Sequence, residues 1–395
     1  MKQINYYFDG LSFKVNFKYV YTLVKYVKYY TPAFVALSLM LTYLGGTFFP
    51  TMYLITFSAA IIIGDIFFRD SEIEYFSYPF LLNLAMYVNL PILFVLIIFI
   101  SSLFSNELPD WYVLGFQNII NININTLKES FSIIDKISMM INIPILIGSL
   151  GTVPAHELTH RKKNKFDMFI GNWLLAFSWD CNFAVEHVYG HHKNVCLPED
   201  PASAKRGENI YSFILKAIYN EHIDGWKFEL MRLKRKKISF FSTHNKMIVG
   251  YLRSLLLTIL IFFISGFIGM SFFLFIAFLS KSLLEGINYI EHYGLVRQRG
   301  KPVRMRHSWN SNHLTSSVFL YNVTRHSDHH RNTNLKYWEL RPSHKDAPML
   351  PYGYLTMLYL VLFIPFIFKR IMNRELDYWD QNFANDFEKK LLKNR

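Results

Sequence analysis

A 395-residue chain that is 52% hydrophobic and 17% aromatic carries more apolar side chain than a soluble domain buries, which points to a protein seated in lipid. Its formal charge of +13 raises nucleic acid as a partner, but the basic runs Arg161 to Lys165, Arg232 to Lys237 and Arg297 to Arg306 all flank or follow apolar stretches. Membrane topology and anionic headgroups account for them instead, and two cysteines, Cys181 and Cys196, exclude a disulfide framework and a four-cysteine iron site.

Met1 to Tyr30 mixes polar, aromatic and basic residues without a cleavable apolar leader, so the first hydrophobic helix is expected to direct insertion. Stretches long enough, or nearly so, to cross about 30 Å of hydrocarbon then follow at 33–49, 52–68, 80–104, 133–155, 247–268 and 271–290. Gly45-Gly46 through Pro50 divides the first pair and Gly266-Phe-Ile-Gly269 the last, which reads as two tight helical hairpins. With six spans both termini share one side. That side holds 37 of the 42 Lys and Arg, which makes it cytoplasmic. The expected fold is all-α: one domain over 1–395, a six-helix transmembrane bundle with a helical cytoplasmic cap at 156–246 and 291–395.

Nine of the 14 histidines fall in four compact places. His156 and His160, at the end of the fourth span, share one helix face at i, i+4. His187, His191 and His192 add an adjacent histidine to the same spacing, and His326, His329 and His330 stand at i, i+3, i+4; each triplet places two rings together and offers the third to a neighbouring ion. His292 lies where the sixth span leaves the membrane, level with His156. Nine imidazoles exceed what one ion accepts, so the count argues for two, without selecting iron. Glu157, Glu186, Glu291 and Asp328 stand beside these histidines and are candidates to hold their outer nitrogens.

Other readings compete. His156-Glu-Leu-Thr-His160 fits the HExxH pattern of a zinc protease with Glu157 as general base, but such a site leaves about six clustered histidines unexplained. A metal transporter would set its ligands across the midplane rather than at one face.

Taken together, the motifs resemble the alkane 1-monooxygenase family of membrane histidine-rich di-iron hydroxylases, relatives of the membrane fatty acid desaturases. The resemblance covers roughly residues 30 to 350. It rests on His156-Glu-Leu-Thr-His-Arg161, Glu186-His-Val-Tyr-Gly-His-His192 with Pro198-Glu-Asp-Pro-Ala202, Asn288-Tyr-Ile-Glu-His-Tyr-Gly-Leu295, His307-Ser-Trp-Asn-Ser-Asn-His313 and Arg325-His-Ser-Asp-His-His330. It implies that the nine clustered histidines bind two irons, and that His307 and His313 lie outside the ligand set. Thr159 and Arg161 depart from the family's usual Gly and Lys. Val153 to Arg161, Gly294 to Arg297 and Leu340 to Pro348 look more like the hydroxylase component of xylene monooxygenase.

The resemblance further implies an enzyme of the bacterial inner membrane, with its active site and both termini cytoplasmic. It would use O2 and two external electrons to hydroxylate the terminal methyl of a medium- or long-chain alkane. An aromatic-methyl hydroxylase or a fatty-acyl hydroxylase or desaturase is the alternative. Without a cysteine quartet of its own, the chain would draw electrons from a separate rubredoxin and its reductase, or from a ferredoxin-type reductase. Phe57, mid-span in the second helix, falls where relatives can carry a bulky residue closing the substrate groove, against its ordinary reading as a packing Phe. Asp65 in the same span is either an interfacial cap or part of the site.

Overall fold

A computed structural model describes residues 4–8, 11–15, 23–343 and 345–393. His344, within the Leu340 to Pro348 stretch, and the last two residues of the expected cap lie outside the described residues. Among those described, regular structure is helical, in keeping with the all-α reading, apart from one antiparallel hairpin of Ile4–Phe8 with Leu11–Val15.

Four helices are long and apolar enough to cross a membrane: Phe49–Phe67, Pro79–Leu103, Ile133–His160 and Lys246–His292. The first expected span is only the 13-residue Thr31–Tyr43, about 20 Å at 1.5 Å per residue and shorter than a crossing needs. Gly46, at φ +83°, takes a left-handed turn there, and Phe49-Pro50 opens the next helix. The expected last pair forms one 47-residue segment interrupted at Gly266, whose φ of 62° and ψ of −168° are not helical. A straight helix would carry Lys281 about 46 Å from Gly250. Instead, a Cβ on Gly250 would meet Cys181 at 2.4 Å, and the Lys281 Nζ lies 3.1 Å from Asp180, so the segment folds back on itself.

The Ile133–His160 helix is positioned from its first residue. Ser132 and Asp135 form a capping box, and Asp135 also accepts from the Thr51 hydroxyl at 2.7 Å, tying this helix to Phe49–Phe67. Pro144 inside the helix lacks an N–H, and the turns after it widen into a π segment, Gly148–Thr152, just before His156. Asp65 is buried and accepts from the Ser316 amide at 2.9 Å and hydroxyl at 2.7 Å and from the Thr356 hydroxyl at 2.9 Å. It therefore ties its span to the Leu314–Phe319 and Tyr354–Phe363 helices; the latter is apolar, 10 residues long, and packs on Lys246–His292.

Candidate metal centre

Four segments bring the nine histidines together. His156 and His160 end the Ile133–His160 helix, and His292 ends Lys246–His292. His187 to His192 follow the Phe183–Glu186 helix, and His326, His329 and His330 share the short His326–Arg331 helix. The rings sort into two groups, each with its ligand atoms within 4.8 Å of one another: His156, His160, His187, His192 and His329, and His191, His292, His326 and His330.

A local distortion makes this sorting possible. His187–His191 is a π turn, so His187 and His192, five apart, meet at 3.0 Å between Nε2 atoms, while His191 turns to the second group. The i, i+4 spacing of His187 and His191 thus splits between groups. In His326–Arg331 the ordinary α-helix keeps His326 and His330 together at 2.9 Å and sends His329 to the first group.

The donor set fits cations. His192 Nε2 lies 3.1 Å from His160 Nε2, 3.0 Å from His187 Nε2 and 3.2 Å from His329 Nε2. One ring proton serves one such contact, which leaves lone pairs facing each other. Spacings near 3.0 Å match adjacent ligands around an ion whose metal–nitrogen bonds are about 2.1 Å. In the second group the buried Nε2 atoms of His191 and His292 have no hydrogen-bond partner. Burial and the neighbouring imidazoles hold His187, His192, His326 and His330 well below the ordinary histidine range, and His329 down to about 3. Neutral rings with inward lone pairs are the donors that a metal ion would require.

Two rings are fixed from behind by residues outside the expected orienting set. His191 Nδ1 donates to Asp200 at 3.1 Å, and His292 Nδ1 donates to the His307 carbonyl at 3.0 Å, leaving both Nε2 atoms turned inward. Burial alone would raise Asp200, but the His191 ring and the Ser203 hydroxyl outweigh it and hold the carboxyl low. Asp200 sat in the quoted Pro198-Glu-Asp-Pro motif, though no helical period links it to His191; a backbone carbonyl leaves no trace in sequence. His307 pairs with Glu388 at 2.9 Å, and His313 contacts the Ser311 hydroxyl at 2.7 Å.

Of the four carboxylates expected beside the clustered histidines, Glu291 alone has its carboxyl within 4 Å of one of their rings, 3.1 Å from His326 Nε2. Glu157 accepts two bonds from Arg161, at 3.0 and 2.7 Å, a poor arrangement for a general base. Asp328 pairs with Arg331 at 2.6 Å and accepts from the Arg341 amide. Glu186 lies under Gly190, where a Cβ would come 2.3 Å from its Oε1. Beside the centre lies an apolar cavity of about 70 Å³, whose wall includes His156, His187, Glu291 and His326 among Ile145, Leu283, Leu320 and Leu358. Phe57 does not line it; its ring packs at 5.9 Å on Tyr53 and 5.6 Å on Phe319, the neighbour of the wall residue Leu320.

A family model described as fatty acid desaturase matches residues 137–361, more than half of the chain and all nine histidines. The chain belongs to the fatty acid desaturase family. Within reach of that family are named enzymes. Alkane 1-monooxygenase 1 of Pseudomonas aeruginosa is 38% identical over 243 residues, 60% of this chain and 63% of that protein. Alkane 1-monooxygenase of Acinetobacter baylyi is 36% identical over 273 residues, 67% of this chain and 66% of that protein. The chain thus spans just under two thirds of the alkane monooxygenases it matches. The xylene/toluene monooxygenase hydroxylase component of Pseudomonas putida is 28% identical over 363 residues, 92% of each chain.

Proposed function

We propose that this chain is an integral-membrane di-iron monooxygenase that hydroxylates the terminal methyl of medium- or long-chain alkanes to primary alcohols, using O2 and electrons from rubredoxin and its reductase. One observation carries the reading: nine imidazoles, their nitrogens turned toward one another in two groups, adjoin an apolar cavity. Irons held there would supply O2 activation and oxidation of an unactivated C–H bond. In this reading His156, His160, His187, His192 and His329 hold one ion, and His191, His292, His326 and His330 the other. Asp200 and the His307 carbonyl fix the tautomers of two ligands.

The cavity wall excludes water and aligns one methyl group with the metals. A larger apolar groove of about 540 Å³ shares Pro144, Ile145, Leu283, Leu355 and Leu358 with the cavity, so a chain end reaches the site without leaving an apolar medium. Electrons would enter at a separate polar pocket of about 600 Å³ that exposes His160 and His192 among Arg161, Lys162, Lys163 and Lys336. That charge suits an acidic donor protein. In this reading Thr31–Tyr43 with Phe49–Phe67, and the two arms of Lys246–His292, each enter and leave the bilayer on one side as hairpins, and Pro79–Leu103 and Ile133–His160 cross it, so this layer and both termini would face the cytoplasm, where the basic residues gather.

A second reading, hydroxylation of an aromatic methyl group, draws support from the relative aligned over 92% of its length. The test is to incubate the purified iron-loaded protein with octane, hexadecane, p-xylene and palmitate, a rubredoxin system and isotopically labelled O2. Labelled primary alkanols are expected. Label in the aromatic alcohol alone selects the second reading, and label in no product, or one zinc in place of two irons, ends the oxygenase assignment.

A further inference from the structure

Four charged side chains that the proposed chemistry has not used meet beside the centre, wholly inside the protein. The Lys281 Nζ lies 3.1 Å from Asp180, 2.8 Å from Glu221 and 2.7 Å from Glu285. All four are buried, Asp180 and Glu285 to 0% exposure, and the Asp180 Oδ2 has no hydrogen-bond partner. Were all three carboxylates ionised against one ammonium, two uncompensated negative charges would sit out of water, at several kcal/mol per ion. The cluster is therefore electrically reasonable only when at least one carboxyl holds a proton.

Neighbours of the cluster line two cavities. Lys281, Glu285 and Asn288 share one helix face, and Asn288 Nδ2 donates to Glu285 Oε2 at 3.0 Å. Asn288 lines the apolar cavity beside Glu291. At the other end Glu221 lies next to Asn220 and one turn from Asp224, and both of these line a separate polar cavity of about 500 Å³. Other titratable groups within electrostatic reach of Lys281 are Glu186, His222 and Cys181.

We propose that Asp180, Glu221, Lys281 and Glu285 form a buried proton relay that feeds the cavity through the Glu285 and Asn288 end. The inference rests on the monooxygenase reading, whose balance is RH + O2 + 2 e− + 2 H+ giving ROH + H2O. Both protons must reach a place from which water is otherwise excluded. A proton held on Glu221 passes to the Glu285 carboxylate and moves on toward the cavity past Asn288, and Glu221 is refilled from the polar cavity. Lys281 keeps its own proton and balances whichever carboxylate is momentarily charged. Burial first, then the charge of Glu285, holds Glu221 well above the ordinary carboxyl range, in keeping with a store of protons at neutral pH.

The full-length protein tests this with Glu285→Gln, Glu221→Gln and the conservative Glu285→Asp. In metal-free protein, infrared difference spectra on transfer to D2O should show a buried protonated carboxyl in the wild type that Glu221→Gln removes. With iron and octane, Glu285→Gln should lower turnover about 10²-fold, raise the solvent deuterium isotope effect and divert consumed O2 to hydrogen peroxide, with Glu285→Asp recovering part of the rate. A wild type without that infrared band overturns the relay. So does a Glu285→Gln protein whose lost turnover matches its lost iron while the isotope effect stays put, because a mere ion-pair brace behaves that way. If the wild type oxidises no hydrocarbon, the monooxygenase reading fails, and the infrared band still decides whether the proton store exists.

Discussion

The Asp200 carboxylate receives the Nδ1–H of His191 at 3.1 Å with both side chains buried, so one imidazole of the second group has its tautomer fixed before any ion arrives. Removing that support in Asp200→Ala leaves the ring free to rotate. Metal affinity at the second group should fall about 10- to 100-fold, measured as iron retained after dialysis against a chelator. Retention equal to wild type would mean the carboxylate does not orient the ring.

The π turn at His187–His191 depends on Gly190. A Cβ there would come 2.3 Å from Glu186 Oε1 and 2.7 Å from Phe228, so Gly190→Ala must push the turn outward. Destabilisation of about 1–3 kcal/mol is expected from the overpacking, with iron content falling further than stability because His187 and His192 lose register. A thermal melt and metal analysis of the same preparation check both.

Phe57 props Phe319, and Phe319 precedes the wall residue Leu320. Phe57→Ala should let that wall retreat and move the product distribution toward longer chains. Gas chromatography of competing alkanes reads the shift, and an unchanged distribution would assign Phe57 to packing alone.

Electron delivery should weaken with salt. The rim of the pocket that exposes His160 and His192 carries Lys162, Lys163 and Lys336, and screening of these charges acts mainly on association rate. Lys162→Glu with Lys163→Glu should raise the apparent KM for rubredoxin while leaving turnover at saturating donor unchanged. A KM indifferent to both salt and charge reversal would place the docking face elsewhere.

For the metal-free protein, acid should be destabilising in a defined window. His187, His192, His326, His329 and His330 all have folded-state values below the unfolded one of about 6.5, with His329 at about 3. Below 6.5 the unfolded chain binds protons that the folded chain does not, so the contribution of these histidines to stability should be fully present above about 6.5 and drop as pH falls toward 3. Bound metal, which competes with protons for the same lone pairs, should move the onset to lower pH.

Much of this was readable from residues alone, for a reason of length scale. Helical period and hydropathy act within a few turns, and they located Pro79–Leu103, Ile133–His160 and the fold-back near Gly266 closely. Nine clustered histidines, more than one ion accepts, pointed to two ions, and the rings fall into two groups. What stayed hidden depends on partners far apart in the chain or on backbone detail. The π turn that pairs His187 with His192 breaks the period on which the expected pairing relied. Asp200, the His307 carbonyl and the Asp180, Glu221 and Glu285 partners of Lys281 come from segments that only folding brings together.

The return of the chain at Gly266 has a biosynthetic consequence. Its second arm carries Lys281 and Glu285 into a segment that would otherwise pass for a plain hydrophobic anchor. An isolated helix with such groups near mid-depth meets an insertion cost of about 2.5–3.5 kcal/mol for each charge. Asp180 and Glu221, which contact Lys281, emerge from the ribosome before it. The arm should therefore enter the bilayer as the trailing half of a hairpin and settle only against earlier segments that are already folded, which makes late assembly of this element the step most exposed to failure in cells.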